Sequence, residues 1–206
     1  MSGNITEKRW YPVLFMFAVS IFFSSIIIGF SFATEQKVKA NEKIAIEQAV
    51  LKVLYGKLDI GLSGVEIHRQ FKEKISGPDD STGNAYVLRE NGEIRGYAVP
   101  FGGRGFWAPI RGVIGVGTDR KTVSGIAFYE NNETPGLGAE ISQDPFCGQF
   151  KGKVLNVNGG KPIELKRPGS ELGENGVHAV TGATQTCTRL EQIIDEALAQ
   201  WRGKMK

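Results

Sequence analysis

Hydrophobic and polar positions divide this chain into three patterns. From Trp10 to Thr34 there is no charged residue, and Tyr11 to Phe32 is almost entirely aromatic or branched aliphatic. That run exceeds the ~20 residues needed to cross a bilayer's hydrocarbon core, so a transmembrane helix is expected over 11–33. Lys8 and Arg9 precede it, Trp10 and Tyr11 supply an interfacial aromatic anchor, and Glu35, Lys37 and Lys39 follow. Ser31-Phe32-Ala33 offers small residues to a signal peptidase. The apolar run is nevertheless longer than the about 7–15 residues of a cleaved leader, so a retained anchor is expected. Both flanks are basic, and the short one favours residues 1–10 on the cytoplasmic side.

A helical period follows. Ile46, Val50, Val53 and Leu54 fall at i, i+4, i+7 and i+8, an apolar stripe that either packs on the domain or extends the membrane helix. Gly56 to Gly64 reads as a linker and Pro78 to Gly83 as a turn-rich loop, so residues 34–83 are expected to be a helical linker region ahead of a domain at 84–206.

The period then shortens to two. Ala85 to Arg89 and Ile94 to Pro100 flank Glu90-Asn91-Gly92-Glu93, and Asn-Gly between such runs marks a hairpin. Arg111 to Val116 and Val123 to Tyr129 form a second pair around Thr118-Asp119-Arg120-Lys121. Helical pattern returns near Pro145 to Phe150. It returns again from about Thr188 to Arg202, where Leu190, Ile193, Ile194, Ala197, Leu198 and Trp201 make one continuous stripe. The fold class expected is α+β, an antiparallel sheet packed by helices.

Composition narrows the chemistry. Of 206 residues, 41% are hydrophobic, enough for an ordinary core, and the net charge of +3 is spread without a basic stripe, which argues against a nucleic-acid partner. Cys147 and Cys187 form no CxxC pair, and His68 and His178 lack a second ligand at helical or hairpin spacing. No metal site is therefore expected, and a redox group in this chain would be organic. Whether the two cysteines pair is left open by spacing alone.

Three segments could carry chemistry. Gly103-Arg104-Gly105-Phe106-Trp107-Ala108 matches a dinucleotide pattern on paper, but Pro109 follows at once and a strand pattern resumes, where that fingerprint must open a helix. It reads instead as a glycine-rich turn, with Phe106 and Trp107 able to stack on a flat ring. In Glu133-Thr134-Pro135-Gly136-Leu137-Gly138, Pro135-Gly136 suits a type II turn, and the glycines let a planar ligand approach the main chain. Thr181-Gly182-Ala183-Thr184-Gln185-Thr186 stands before the last helix, where Thr188-Arg189-Leu190-Glu191 has the form of a capping box. A helix start with small residues ahead of it is also an anion site, and a hydroxyl there could be esterified to a bound phosphate. Physics alone does not choose between the threonines.

These last two motifs, in this order, resemble the FMN-binding domain shared by the RnfG component of the Rnf complex and the NqrC component of the sodium-pumping Nqr complex. The resemblance extends over nearly the whole chain, including one membrane helix before the domain and Phe150-Lys151-Gly152-Lys153 between the motifs. It implies one FMN per chain, attached by a flavin transferase through a phosphoester bond to the last threonine of a [Ser/Asp]-Gly-Ala-Thr-x-Thr pattern, here Thr186. Gly182, Ala183 and Thr184 would line the phosphate, and Thr134, Gly136, Leu137 and Gly138 the ring side, with Thr181, Glu133 and Trp107 also counted among the cofactor-binding residues. Thr181 stands where serine or aspartate is usual, and His178 where an acidic residue is expected.

The resemblance further implies an electron-relay component of an ion-translocating oxidoreductase, with no catalytic acid or base of its own. Its domain would face the periplasm or exterior from the inner membrane. Its partners would be the other membrane components of the complex, including a multi-span one that bears covalent FMN. Length favours the Rnf type, whereas Gly105-Phe106-Trp107 is closer to Nqr, and of the two the Rnf type is expected.

Overall fold

The computed structural model describes residues 9–56 and 61–205. The expected cytoplasmic N-terminus and the middle of the Gly56–Gly64 linker lie largely outside the described residues. Two compact units emerge, the first ending at Lys43 and the second spanning Ile44–Lys206.

Helix α1 runs from Tyr11 to Tyr55 without a break. Pro12 is tolerated because it falls in the first turn, where its missing N–H has no intrahelical acceptor to lose. The large apolar side chains of the first unit, among them Phe15, Phe22, Ile27 and Phe32, are exposed. Among the described residues this is the one helix long and apolar enough to cross a membrane.

The second unit opens with the last turns of the same helix, where Ala49, Val50, Leu51 and Val53 are buried. It thus begins well ahead of residue 84, the start expected from sequence, because the amphipathic stripe and the short elements after it are core rather than linker. Helix α2, Gly64–Lys74, starts at Ser63, whose hydroxyl accepts from the Glu66 amide. Strand β1, Ile75–Ser76, then adds an edge to the sheet.

Four longer strands follow: β2 (Tyr86–Glu90), β3 (Glu93–Arg104), β4 (Pro109–Gly117) and β5 (Val123–Asn131). Each pairs antiparallel with its neighbour in the order β1-β2-β3-β4-β5. The β2–β3 turn is built as its Asn-Gly signal requires, with Asn91 at φ 54° and Gly92 at φ 81°. Both positive values match the strand twist of a two-residue hairpin.

Alternation sends the strand side chains to two cores. On one face Val87, Tyr97, Val99, Phe101, Ile110 and Ile114 pack with Leu190, Ile194, Leu198 and Trp201 of helix α4, Thr184–Lys204. On the other, Leu88, Ala98, Val113 and Ala127 meet Val50, Leu51 and Val53 of α1 and Ile67 of α2. The sheet is therefore covered by helices on both faces. Trp201 fastens the far end of α4, with its ring 5.3 Å from Tyr97 and its indole N–H donating to the Thr82 carbonyl at 3.2 Å.

Between β5 and α4 the chain makes a 3₁₀ turn at Gly138–Ser142, the short helix α3 (Asp144–Cys147) and a small parallel pair, β6 (Glu164–Lys166) with β7 (Gly176–His178). Cys147 and Cys187 are both buried free thiols. Burial pushes the Cys147 thiol up to about 11, so it stays protonated and unreactive at neutral pH.

Candidate functional site

Three turns converge at one end of the sheet. The first joins β3 to β4, closed by the Gly105 amide donating to the Ala108 carbonyl at 2.9 Å. It carries the exposed rings of Phe106 and Trp107, set edge to face with centroids 5.2 Å apart. No helix opens there, which removes the dinucleotide reading.

The second turn follows β5. The Leu137 amide donates to the Thr134 carbonyl at 3.1 Å, and Gly136 has φ 73°, the type II geometry that Pro135-Gly136 calls for. The third is the start of α4. It begins at Thr184, four residues before the expected Thr188, with Ala183 at the N-cap and no side-chain cap.

The capping box at Thr188–Glu191 is therefore not formed. Thr188 lies inside the helix and donates to the Thr184 carbonyl at 2.9 Å. Glu191 turns away, accepting from the Leu165 amide at 2.9 Å and from the Lys161 ammonium at 2.6 Å. A longer helix is favoured because the apolar stripe extends back to the buried Cys187 and Ala183. Its first amides, having no carbonyl a turn earlier, are left for an external acceptor.

Together the three turns line a depression of about 170 Å³ formed by Phe106, Trp107, Glu133, Thr134, Leu137, Gly138 and the stretch 182–186. Nine of the eleven site residues named from sequence are in this lining: Trp107, Glu133, Thr134, Leu137, Gly138, Gly182, Ala183, Thr184 and Thr186. Gly136 sits at the exposed turn tip, with its amide bound to Glu140, and Thr181 is exposed one residue short of the lining. Phe106 and Gln185 complete the lining. The exposed aromatic pair signalled the first, whereas nothing in the sequence singled out the second.

At the floor, the Thr186 hydroxyl donates to Glu133 Oε2 at 2.8 Å. Both residues are almost wholly buried, at 3% and 4% exposed. The other carboxylate oxygen accepts from the Trp107 amide at 2.9 Å and the Ala108 amide at 3.2 Å, so Glu133 ties all three turns together. Burial by itself would raise its pKa. The hydrogen bonds from Trp107, Thr186, Ala108 and Phe106 outweigh that and hold the carboxyl below its usual range, so it is ionised at neutral pH.

Close approach explains two of the glycines. A Cβ on Gly138 would lie 2.6 Å from the Thr186 hydroxyl oxygen, and one on Gly105 would collide with Glu133 Oε1. An anion can meet bare amides at the start of α4, with small residues beside it and two aromatic rings on the rim. The arrangement fits a phosphate joined to a flat ring system, as in FMN. No group of acidic, histidine or cysteine side chains able to hold a metal occurs among the described residues.

Comparison with known proteins agrees with this geometry. Residues 105–199 match the FMN-binding domain family. The NqrC component of the Na(+)-translocating NADH-quinone reductase of Vibrio anguillarum is 37% identical over 127 residues, covering 61% of this chain and 48% of that protein. The chain thus aligns with about half the length of the curated relatives it matches. In fold it is similar to the crystal structure of the corresponding component from Parabacteroides distasonis, with a TM-score of 0.70 and 24% identity over 84% of this chain and 96% of that one. It is also similar to NqrC of Shewanella oneidensis, with a TM-score of 0.63 and 22% identity over 82% and 98%. The stretch 105–199, which supplies all the residues lining this depression, is thus similar to the FMN-binding domain family.

Proposed function

We propose that this chain is a membrane-anchored electron relay of an Nqr-type ion-translocating oxidoreductase, holding FMN through a phosphoester bond to Thr186. The observation that carries the attachment point is the Thr186 hydroxyl on the floor of the depression, hydrogen-bonded to Glu133 and directly beside the uncapped amides of α4. Those amides and the helix dipole favour a phosphate in that place. Gly182, Ala183 and Thr184 would line the phosphate, and Leu137, Gly138, Phe106 and Trp107 would border the ring.

When bound, FMN supplies the capacity to take up and pass on electrons, and the protein's part is to hold it and set its surroundings. A covalent tether suits an exposed shallow site, since a depression of this size cannot enclose the cofactor. The relatives named above are Nqr components, and Gly105-Phe106-Trp107 points the same way, so the Nqr type replaces the Rnf type favoured by length. The apolar part of α1, 11–33, would anchor the chain in the inner membrane with the domain outside. Its partners would be the other membrane components of the complex, including a multi-span one with its own covalent FMN, and a flavin transferase would complete its maturation.

The test is intact-mass analysis of the denatured full chain, expressed with and without a flavin transferase, beside in-gel flavin fluorescence. The expected result is a gain of one FMN less one water, absent in Thr186→Ala. An unchanged mass despite a transferase active on another acceptor would overturn covalent attachment.

A further inference from the structure

We propose that Glu133 is the proton acceptor for the modification of Thr186, so that the acceptor domain brings its own base to the flavin transferase. This rests on the reading of Thr186 as the attachment point. What it adds is a chemical role for a neighbouring residue that sequence reasoning placed only among the cofactor contacts.

Two threonines in the first turns of α4 donate to different kinds of acceptor. A hydroxyl in a helix ordinarily donates back to the carbonyl four residues earlier, as Thr188 does to Thr184. Thr186 donates instead to a carboxylate 53 residues away in sequence. The helix does not require that bond, so the tertiary fold has directed this hydroxyl.

Glu133 is also more than the structure needs. The Trp107 and Ala108 amides require an acceptor, and a glutamine carbonyl would satisfy both while its amide group met the Thr186 oxygen. A buried carboxylate is expensive unless a cation or several donors compensate it. Among the described residues no lysine, arginine or histidine forms an ion pair with Glu133. Neutral donors alone hold it ionised, with one oxygen fixed by the two amides and the other directed at the hydroxyl proton.

The step balances without any change in oxidation state. The co-substrate is a flavin dinucleotide, in which the FMN phosphate is activated as a pyrophosphate. The Thr186 oxygen forms a bond to the FMN phosphorus, and the bond from that phosphorus to the bridging oxygen breaks. The second nucleotide leaves as its monophosphate, taking the electron pair, and the hydroxyl proton passes to Glu133 Oε2. A carboxylate placed to receive a hydroxyl proton during phosphoryl transfer is a recurrent solution to the same problem. Afterwards Glu133 has lost its O–H donor and faces an anionic phosphodiester. Both changes raise its pKa, so the product favours retention of the proton between the two groups.

The experiment compares wild-type full chain with Glu133→Gln, using purified flavin transferase and flavin adenine dinucleotide, with the initial rate of FMN addition read by intact mass. The expected result is a kcat for the acceptor chain lowered by about a hundredfold or more, with its KM and melting temperature close to wild type. Three outcomes would overturn the proposal: a wild-type kcat, a loss expressed only in KM, or a loss accompanied by collapse of the fold. Failure of the wild type itself to gain FMN would instead remove the attachment reading. The two failures are therefore distinguishable.

Discussion

Two buried glutamates, Glu191 on α4 and Glu133 bonded to its first turn, do different work with the same functional group. Glu191 is 7% exposed and accepts from a half-exposed Lys161 ammonium and from the Leu165 amide, which fastens β6 to the helix. Glu133 is 4% exposed, has only neutral donors, and spends one oxygen on a threonine hydroxyl at the floor of a depression. The first arrangement is complete as a structural clamp. The second leaves a charged acceptor directed at a group that can react. Burial of a charge therefore marks a site less reliably than the kind of partner that compensates it.

The contrast is broken most severely by Glu133→Ala. Two turn amides and a hydroxyl lose their acceptor, and the β3–β4, β5–α3 and α4 turns lose their common tie. A destabilisation of about 2–3 kcal/mol is expected, read by chemical denaturation at neutral pH. Because Glu133 has a depressed pKa in the fold, its contribution is fully present above the ordinary carboxylate range and is lost as pH falls through the folded value. The gap between variant and wild type should accordingly narrow in acid, and a gap that widens there would contradict the assignment.

Glu191→Ala should cost less, about 1–2 kcal/mol, since Lys161 can return to water and chiefly the Leu165 amide is stranded. Sharper than the stability loss is its selectivity. FMN addition in the presence of transferase should persist in this variant, whereas Glu133→Ala should lose it. Equal loss in both would erase the distinction between clamp and site.

The smallest effect concerns Asp195, one turn along α4. Burial, with the neighbouring charge of Glu191, pushes its carboxyl up to about 6. Its folded pKa lies above the unfolded value, so its contribution favours the fold at low pH and is lost as pH rises from about 4 to about 6. Asp195→Asn should raise the melting temperature by about one to two degrees at pH 7 and leave it unchanged at pH 4. A gain of the same size at both values would show that packing, rather than charge, is responsible.

Much of this molecule is written locally. The apolar run of α1, the two hairpins and the stripe of α4 were legible because each repeats its signal over many positions, at a period that permits one conformation. The Asn91-Gly92 and Pro135-Gly136 turns were legible because their backbone angles suit few residues. Short elements escaped. Strand β1 has two residues, and β6 and β7 have three each, too few to display a period. The start of α4 was misplaced because a capping box is a local pattern, while the helix was extended by packing of Ala183 and Cys187 into the core.

Sequence by itself determined the parts list: an anchor-like helix, an antiparallel sheet, and two motifs of glycines and threonines suited to a phosphate and a flat ring. Only tertiary structure decided which threonine hydroxyl meets a buried carboxylate. That choice depends on a hydrogen bond spanning 53 residues, made possible because two β turns and a helix start are brought to one end of the sheet. Packing on the opposite face of the sheet assigned the last turns of α1 to the domain, since whether an amphipathic stripe is linker or core depends on the surface it meets. Local patterns set conformation through forces within a few residues of one another, whereas the Thr186–Glu133 pair is made of groups that meet only once the chain has folded.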